Sequence, residues 1–498
     1  MAEVISSPVL SGEDQAALDK VMSRIEKHRR HNLIRTEYYE AHRRVKDFKI
    51  ATPPELRNTG TVIGWPGTVI DALDERLDIM GFTAPGLDVG DVGVQEIWDS
   101  NELYREYSGA HVDAFIQGVA FLAVSRGGEG EPDPLITVES PLSMSAVYDP
   151  RGRRIQVAAA ITRDDDNRPV AASLYHPHKT THVERNATGK WVITHRDHHK
   201  LGRVTVRRLV NNPRASRQWG RSEITPDIMH FTQAAMRTLV GAEISREFYS
   251  APQRWLIGAT EETFQDKDGR NKTPWESYIG RYLALSRNED DPDAKDPRVG
   301  QFEPSSPTPY IELVKMFSLM VASAAAIPPT YFGFVTENPP SADAIRAFEA
   351  RHVKRAARRC TNFGPEWAGA IKDAILLRDG TIPKELHGLR TKWADTGTPT
   401  PAAAADATTK LVAAFPWMQN SDVALERLGF DQTDLDRLRR DRSLAGTGQI
   451  ANMLSHQAPD DDELAAAAGR GEAAITGRNT FATSESLEQG AGAGSDAW

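Results

Sequence analysis

The chain has 498 residues, enough for roughly three domains. Hydrophobic residues make up 40% of it and charged residues 26%, the balance of a globular protein with a real core. Sixty Lys and Arg against sixty-nine Asp and Glu leave a formal net charge of −9, which argues against a protein that grips nucleic acid over its whole surface.

The first residues, MAEVISSPVLSGEDQ, lack the basic start and apolar core of a secretory signal. Residues 13–45 read as a long charged helix, with Leu18, Val21, Met22, Ile25, Leu33 and Ile34 forming a partial apolar stripe. After the break at ATPPELRNTG, residues 66–79 and 93–119 again read as helical. From Phe121 the texture becomes β-rich. Short runs are separated by the turn signals DPRG, DDDN and NATGK, which predicts a mainly antiparallel region over about 120–212.

A helix is predicted from Thr225, a good cap, through Pro226 and Asp227 to about Ser250. An irregular piece, 251–306, contains the acidic loop NEDDPDAKDP. A second helix follows from Thr308 and Pro309 to Ile327. It is apolar on almost every side, so it should be covered all round. It would be a central core helix in a single chain, or it would pack on neighbouring subunits in a ring. Its most apolar run, Met316 to Ile327, is far short of the about 20 residues of a membrane span. The proline-rich link PPTYFGFVTENPP then leads to a long helix from Ser341 to about Leu377. Helical pieces are expected near 401–414, 420–428 and 431–443. The last forty or so residues, rich in Gly, Ala, Ser and acid, have the composition of a disordered tail.

Enzymatic motifs are scarce. The one Gly-Lys pair, Gly189-Lys190, precedes Trp191 rather than Ser or Thr, so there is no phosphate loop. GRSEI at Gly220 lacks the second glycine of a serine elbow, and H-E-x-x-H is missing. A single cysteine, Cys360, excludes an intrachain disulfide or a cysteine metal cluster, and no reactive-thiol motif surrounds it. The strongest enzyme-like signal is histidine. His176, His178, His182, His195, His198 and His199 crowd one hairpin, and alternate residues such as His176 and His178 share a face. A metal-dependent enzyme built on this His176–His199 hairpin is the alternative reading. Against it, HRDHHK has the look of a solvated turn, and a metal needs a third ligand and outer-shell partners. The acidic triplet Asp164–Asp166 reads as a hairpin tip. The loop at 288–297 lacks the glycine and terminal glutamate of a calcium loop.

The long helix raises a different question. Arg351, Lys354, Arg355 and Arg358 recur at i, i+3, i+4 and i+7 and form a basic face, while Ile345, Val353, Ala356 and Ala357 lie on the other side. Such a face is either the solvated side of an amphipathic helix or a surface for DNA phosphates or for an acidic neighbouring subunit.

The stretch IPPTYFGFVTENPPSADAIRAFEARHVKRAARRCTNFGPEW, 327–367, resembles the portal proteins of tailed double-stranded DNA bacteriophages. The resemblance rests on Pro329-x-x-Phe332-Gly333, on Asn338-Pro339-Pro340-Ser341-Ala342-Asp343-Ala344-Ile345, and on the Glu-x-x-x-x-Lys-x-x-x-Arg helix. WADTGTPT at 393–400 and the order of elements over about 15–450 also match. It implies an α+β portal fold. N-terminal helices and a β-rich wing would occupy 1–224, a first stem helix 225–250, a clip 251–306 and a second stem helix 307–328. A tunnel loop at 329–342, a long wing helix at 343–379, a helical crown at 380–455 and a disordered tail at 456–498 would follow. It further implies a homo-oligomeric ring, typically a dodecamer, at one capsid vertex of the virion, assembled in the host cytoplasm. Double-stranded DNA would pass through the ring during packaging and ejection. The implied partners are the terminase large subunit, the major capsid and scaffolding proteins and the head–tail connector. No catalytic residue, cofactor, metal or membrane is expected, since the packaging ATPase belongs to terminase. Thr336, Glu337 and Asn338 are expected near DNA, and the basic face is expected to pair chiefly with acidic groups of a neighbouring subunit.

Overall fold

The computed structural model describes residues 9–44, 61–85, 92–249, 254–259, 282–286, 298–301, 306–333, 341–397, 399–430, 434–435 and 437–444. The chain divides after Asp431 into a large unit and a small C-terminal one. In the small unit, the described residues are helical and Arg437 pairs with Asp434 at 3.9 Å.

In the large unit, helix α1 (Gly12–Tyr39) begins where Ser11 caps it, its hydroxyl accepting the Asp14 amide at 3.2 Å. Only part of the predicted stripe is buried. Leu18, Val21 and Ile25, one and two turns apart, pack with Val157, Leu174, Val183 and Ile193, whereas Leu33 is exposed. Those partners belong to a five-stranded antiparallel sheet. Its strands run in chain order: β4 (Met144–Asp149), β5 (Arg154–Arg163), β6 (Pro169–Tyr175), β7 (Thr180–Arg185) and β8 (Trp191–Asp197). Period-two burial makes this possible. In β8, Trp191 and Ile193 face inward between more exposed neighbours. A second antiparallel sheet places β2 (Val119–Ser125) between β3 (Leu135–Glu139) and β9 (Val206–Val210). Every residue of β2 is buried, as befits a central strand covered on both faces.

The helical reading of 66–79 ends early. Helix α2 (Trp65–Asp74) stops, and β1 (Ile79–Thr83) pairs antiparallel with β13 (Arg390–Trp393). The segment between 380 and the helical pieces expected from about 401 therefore holds a short 3-10 helix (Lys384–Gly388) and then this strand. A five-residue run whose partner lies three hundred residues away has no local signature. Residues 93–119 divide at an αL residue, Glu102, into α3 (Val94–Ser100) and α4 (Leu103–Gln117).

Helix α5 (Pro226–Tyr249) and helix α6 (Thr308–Ala325) follow close to their expected bounds. Of the insert between them, three strands are described. In it β10 (Arg254–Ala259) is parallel to β11 (Tyr282–Ser286) and antiparallel to β12 (Arg298–Gln301). The acidic loop at 288–297 lies outside the described residues, as do 334–340 and 445–498.

Helix α7 (Ala342–Asp379) organises the core. Ser341 caps it through the Ala344 amide, and Gly380 ends it in the left-handed conformation that glycine tolerates best. Phe363, Trp367, Ile371 and Ile375 recur every four residues and are fully buried against α4, β2 and α3 residues such as Phe115, Leu122 and Trp98. Helices α8 (Pro401–Ala414) and α9 (Asp422–Arg427) complete the large unit.

Candidate functional site: a basic cleft and an uncovered apolar helix

The cleft forms where α7 crosses the segment leading into α5. Glu223 lies just before the Thr225 turn and is almost completely buried. Its amide donates to Phe115 O at 2.8 Å, and Asn211 Nδ2 donates to its Oε1 at 3.1 Å. Arg355 and Arg359, one helical turn apart, both donate to its carboxylate. Burial alone would push the Glu223 carboxyl up, but the two guanidinium charges and the hydrogen bonds from Arg359 and Asn211 outweigh it. They hold the group below the usual carboxylate range.

Arg351, Lys354 and Arg358 remain on the exposed side of α7. They border a cavity of about 490 Å³ with Arg221, Asp227 and the buried pair. Six cationic side chains therefore face two carboxylates, Glu223 and Asp227. Arg359 is 4% exposed, and its Nε has no hydrogen-bond partner. The cleft is chemically suited to oxyanions.

This geometry divides the predicted basic face. Arg355 turns inward to a carboxylate of its own chain, and only Arg351, Lys354 and Arg358 stay available to a partner. Sequence reasoning missed Glu223 and Arg359. The i, i+4 spacing of Arg355 and Arg359 was a usable signal, because two arginines one turn apart on a half-buried helix need a shared anion. Thr336, Glu337 and Asn338 lie outside the described residues.

The histidine hairpin is already engaged. Lys179 Nζ donates to Asp14 Oδ2 at 2.7 Å, and His176 Nε2 lies 3.0 Å from Asp14 Oδ1, so these residues tie the start of α1 to the turn before β7. His182 Nδ1 meets Ser173 Oγ at 2.9 Å, and its ring lies beside His195 across the strand pair. Among the described residues, no three His, Cys, Asp or Glu side chains converge as metal ligands. Cys360 is buried, and burial pushes its thiol up to about 12.

Helix α6 departs from the expectation that it is covered all round. Val321, Ala322 and Ala325 are buried, with Val321 and Ala325 packing beside Ile228 of α5. On the opposite side Leu313, Met316, Leu319 and Met320 are each more than 40% exposed. They sit at spacings that form one continuous face. Among the described residues, nothing covers this side of the helix. No described helix is long and apolar enough to cross a membrane.

A mixed helix-and-sheet chain with a basic cleft and an apolar helix face that no described residue covers has the character of an assembling protein. Comparison with known proteins gives the class. Residues 19–423 match the phage portal protein family, SPP1 Gp6-like. The portal protein of Mycobacterium phage D29 is 31% identical over 449 residues, covering 88% of this chain and 91% of that protein. The portal protein of Mycobacterium phage L5 is 30% identical over 430 residues, covering 84% and 87%. The chain belongs to the phage portal protein family. Among solved structures, the neck of an empty gene transfer agent particle computed with C6 symmetry matches with a TM-score of 0.41 at 13% identity. That match covers 78% of this chain and 96% of that one.

Proposed function

We propose that this chain assembles into a closed homo-oligomeric ring at one capsid vertex and forms the channel through which double-stranded DNA is packaged and ejected. The observation that carries the ring is the uncovered apolar face of α6. Four large apolar side chains on one helix face favour a covering surface over water. In a ring, a heterologous contact repeated head to tail covers that face in every copy. In this reading α5 and α6 form the stem, 251–306 the clip and 329–342 the tunnel loop, with Thr336, Glu337 and Asn338 nearest DNA. Helix α7 spans the wing behind the loop, and 380–455 builds the crown. A dodecamer docked to terminase, to the capsid and scaffolding proteins and to the head–tail connector is the corresponding assembly. A net charge of −9 favours sliding over phosphate gripping.

The test is native mass spectrometry with negative-stain microscopy on the wild type and on a Met316→Glu/Met320→Glu variant. Wild type should give rings with a central hole. The variant should remain a monomer with unchanged circular dichroism. Rings in the variant, or wild type that stays monomeric beside scaffold, would overturn the reading.

The exposed cations of the cleft take their place in the same assembly. Arg351, Lys354 and Arg358 are assigned to carboxylates of a neighbouring subunit. Replacing all three with alanine should abolish rings while leaving the monomer's unfolding midpoint unchanged, because none of them is buried. If rings form normally and packaging stalls, these residues act on DNA instead.

A further inference from the structure

A second basic cleft lies more than one helix turn away along the chain's core helix, on the side of the β-rich region. It opens between the β4–β5 turn, strand β9 and the middle of α7, and encloses about 600 Å³. Five guanidinium groups border it, from Arg153, Arg154, Arg203, Arg207 and Arg208. That volume is within the range of built ligand sites, which run from about 300 to about 1,000 Å³.

The charges there are only partly compensated. Asp373, fully buried on α7, lies behind the cleft. It accepts Arg207 Nε at 2.7 Å and Arg207 Nη2 at 3.0 Å, and Arg203 reaches the same carboxylate at 2.5 Å. One carboxylate thus serves two guanidiniums. Glu366 also borders the cleft, but burial pushes its carboxyl up against the pull of Arg207 and Arg208, which weakens it as a counter-charge. Arg203 Nε is buried without a hydrogen-bond partner. Arg153 and Arg154 are exposed on the turn, and neither forms an ion pair among the described residues.

The cations are also positioned. The Arg208 guanidinium lies 3.5 Å from the centre of the Tyr148 ring and 4.9 Å from that of Trp219, and Nη1 donates to Gln218 O at 3.2 Å. With its face covered by aromatic rings, the group keeps only its N–H edge for a ligand. Gly369 makes room for Arg207, since a Cβ there would stand 3.0 Å from Arg207 Nε. Beneath the guanidiniums lie Ile155, Val204 and Val206, which are buried in the core.

We propose that this cleft is a docking site for an extended acidic segment of a partner protein, whose carboxylates meet the guanidiniums. The chain's net charge of −9 disfavours a long polyanion such as duplex DNA, whereas a short acidic segment meets only the cleft. The inference is independent of the α6 face and of the Arg351 cleft.

The test is fluorescence anisotropy on the full-length assembled protein. The probe is a labelled peptide of alternating glutamate and valine, beside its glutamine–valine counterpart and a duplex oligonucleotide. The acidic peptide should bind, and raising the salt from about 50 to about 300 mM should weaken it. An Arg153→Glu/Arg154→Glu variant should bind it at least about tenfold more weakly. Both residues are exposed, so the fold is preserved. Equal binding of the neutral peptide, indifference to the double charge reversal, or displacement of the peptide by the oligonucleotide would each overturn the proposal. If the variant fails to form rings that wild type forms, the occupant is a second copy of this chain and the partner-protein assignment is wrong.

Discussion

Replacing Glu223 with alanine is expected to lower the unfolding free energy of the large unit by about 3–5 kcal/mol, the usual cost of leaving buried charges without their partner. The cost is high because one carboxylate serves two cations. The Arg359 side chain is buried and that of Arg355 is about four-fifths covered, so both depend on Glu223 for a counter-charge. Asn211 loses an acceptor as well. Urea unfolding followed by tryptophan fluorescence reads the effect. A loss below about 1 kcal/mol would mean the cluster behaves as a solvent-screened surface pair. Replacing Glu223, Arg355 and Arg359 together with apolar residues of similar volume should recover most of the loss, because no orphaned charge remains. The cluster also sets a pH dependence. The Glu223 carboxyl is held low in the folded state. Its contribution is therefore complete above the unfolded value of about 4.3 and is lost as the pH falls through the lower folded value. The Glu223→Ala variant should lack that component of acid unfolding.

The second large effect is expected at Trp367, the largest fully buried side chain. Trp367→Ala should cost about 3–5 kcal/mol through the cavity it leaves. Its ring packs edge-on against Trp98 at 5.7 Å, and its Nε1 donates to His111 Nε2 at 3.0 Å. That bond fixes the His111 tautomer. Nε2 accepts, so the proton of the neutral ring sits on Nδ1, 3.6 Å from Asp74 Oδ1. Burial pushes the His111 value down despite the pull of Asp74. The unfolded chain then binds the proton more readily. Stability from this group is complete above the unfolded histidine value of about 6.5 and declines as the pH falls below it. Trp367→Phe should keep most of the packing and lose the hydrogen bond, costing about 1–3 kcal/mol. Equal losses for phenylalanine and alanine would show that the hydrogen bond, rather than volume, dominates the site.

Much of this protein is local chemistry and could be read directly. Thr225-Pro226-Asp227 and Ser341 announce helix starts, and turn signals separate the strands of the five-stranded sheet. The family resemblance, carried by residues 327–367, agrees with the family match over 19–423. Two long-range features could not be read. Strand β1 exists because β13 completes it, and neither run is long enough to declare itself alone. The basic face of α7 looked uniform because helical periodicity places residues around an axis without saying what each direction meets. Only the tertiary structure sets Glu223 opposite Arg355 and Arg359, which removes Arg355 from the surface and leaves Arg351, Lys354 and Arg358 on it. Helix α6 makes the same point from the apolar side. Its composition determined by itself that the helix must be covered. That no described residue of the large unit covers Leu313, Met316, Leu319 and Met320 was decided by packing, which sets α5 against the other side of the helix.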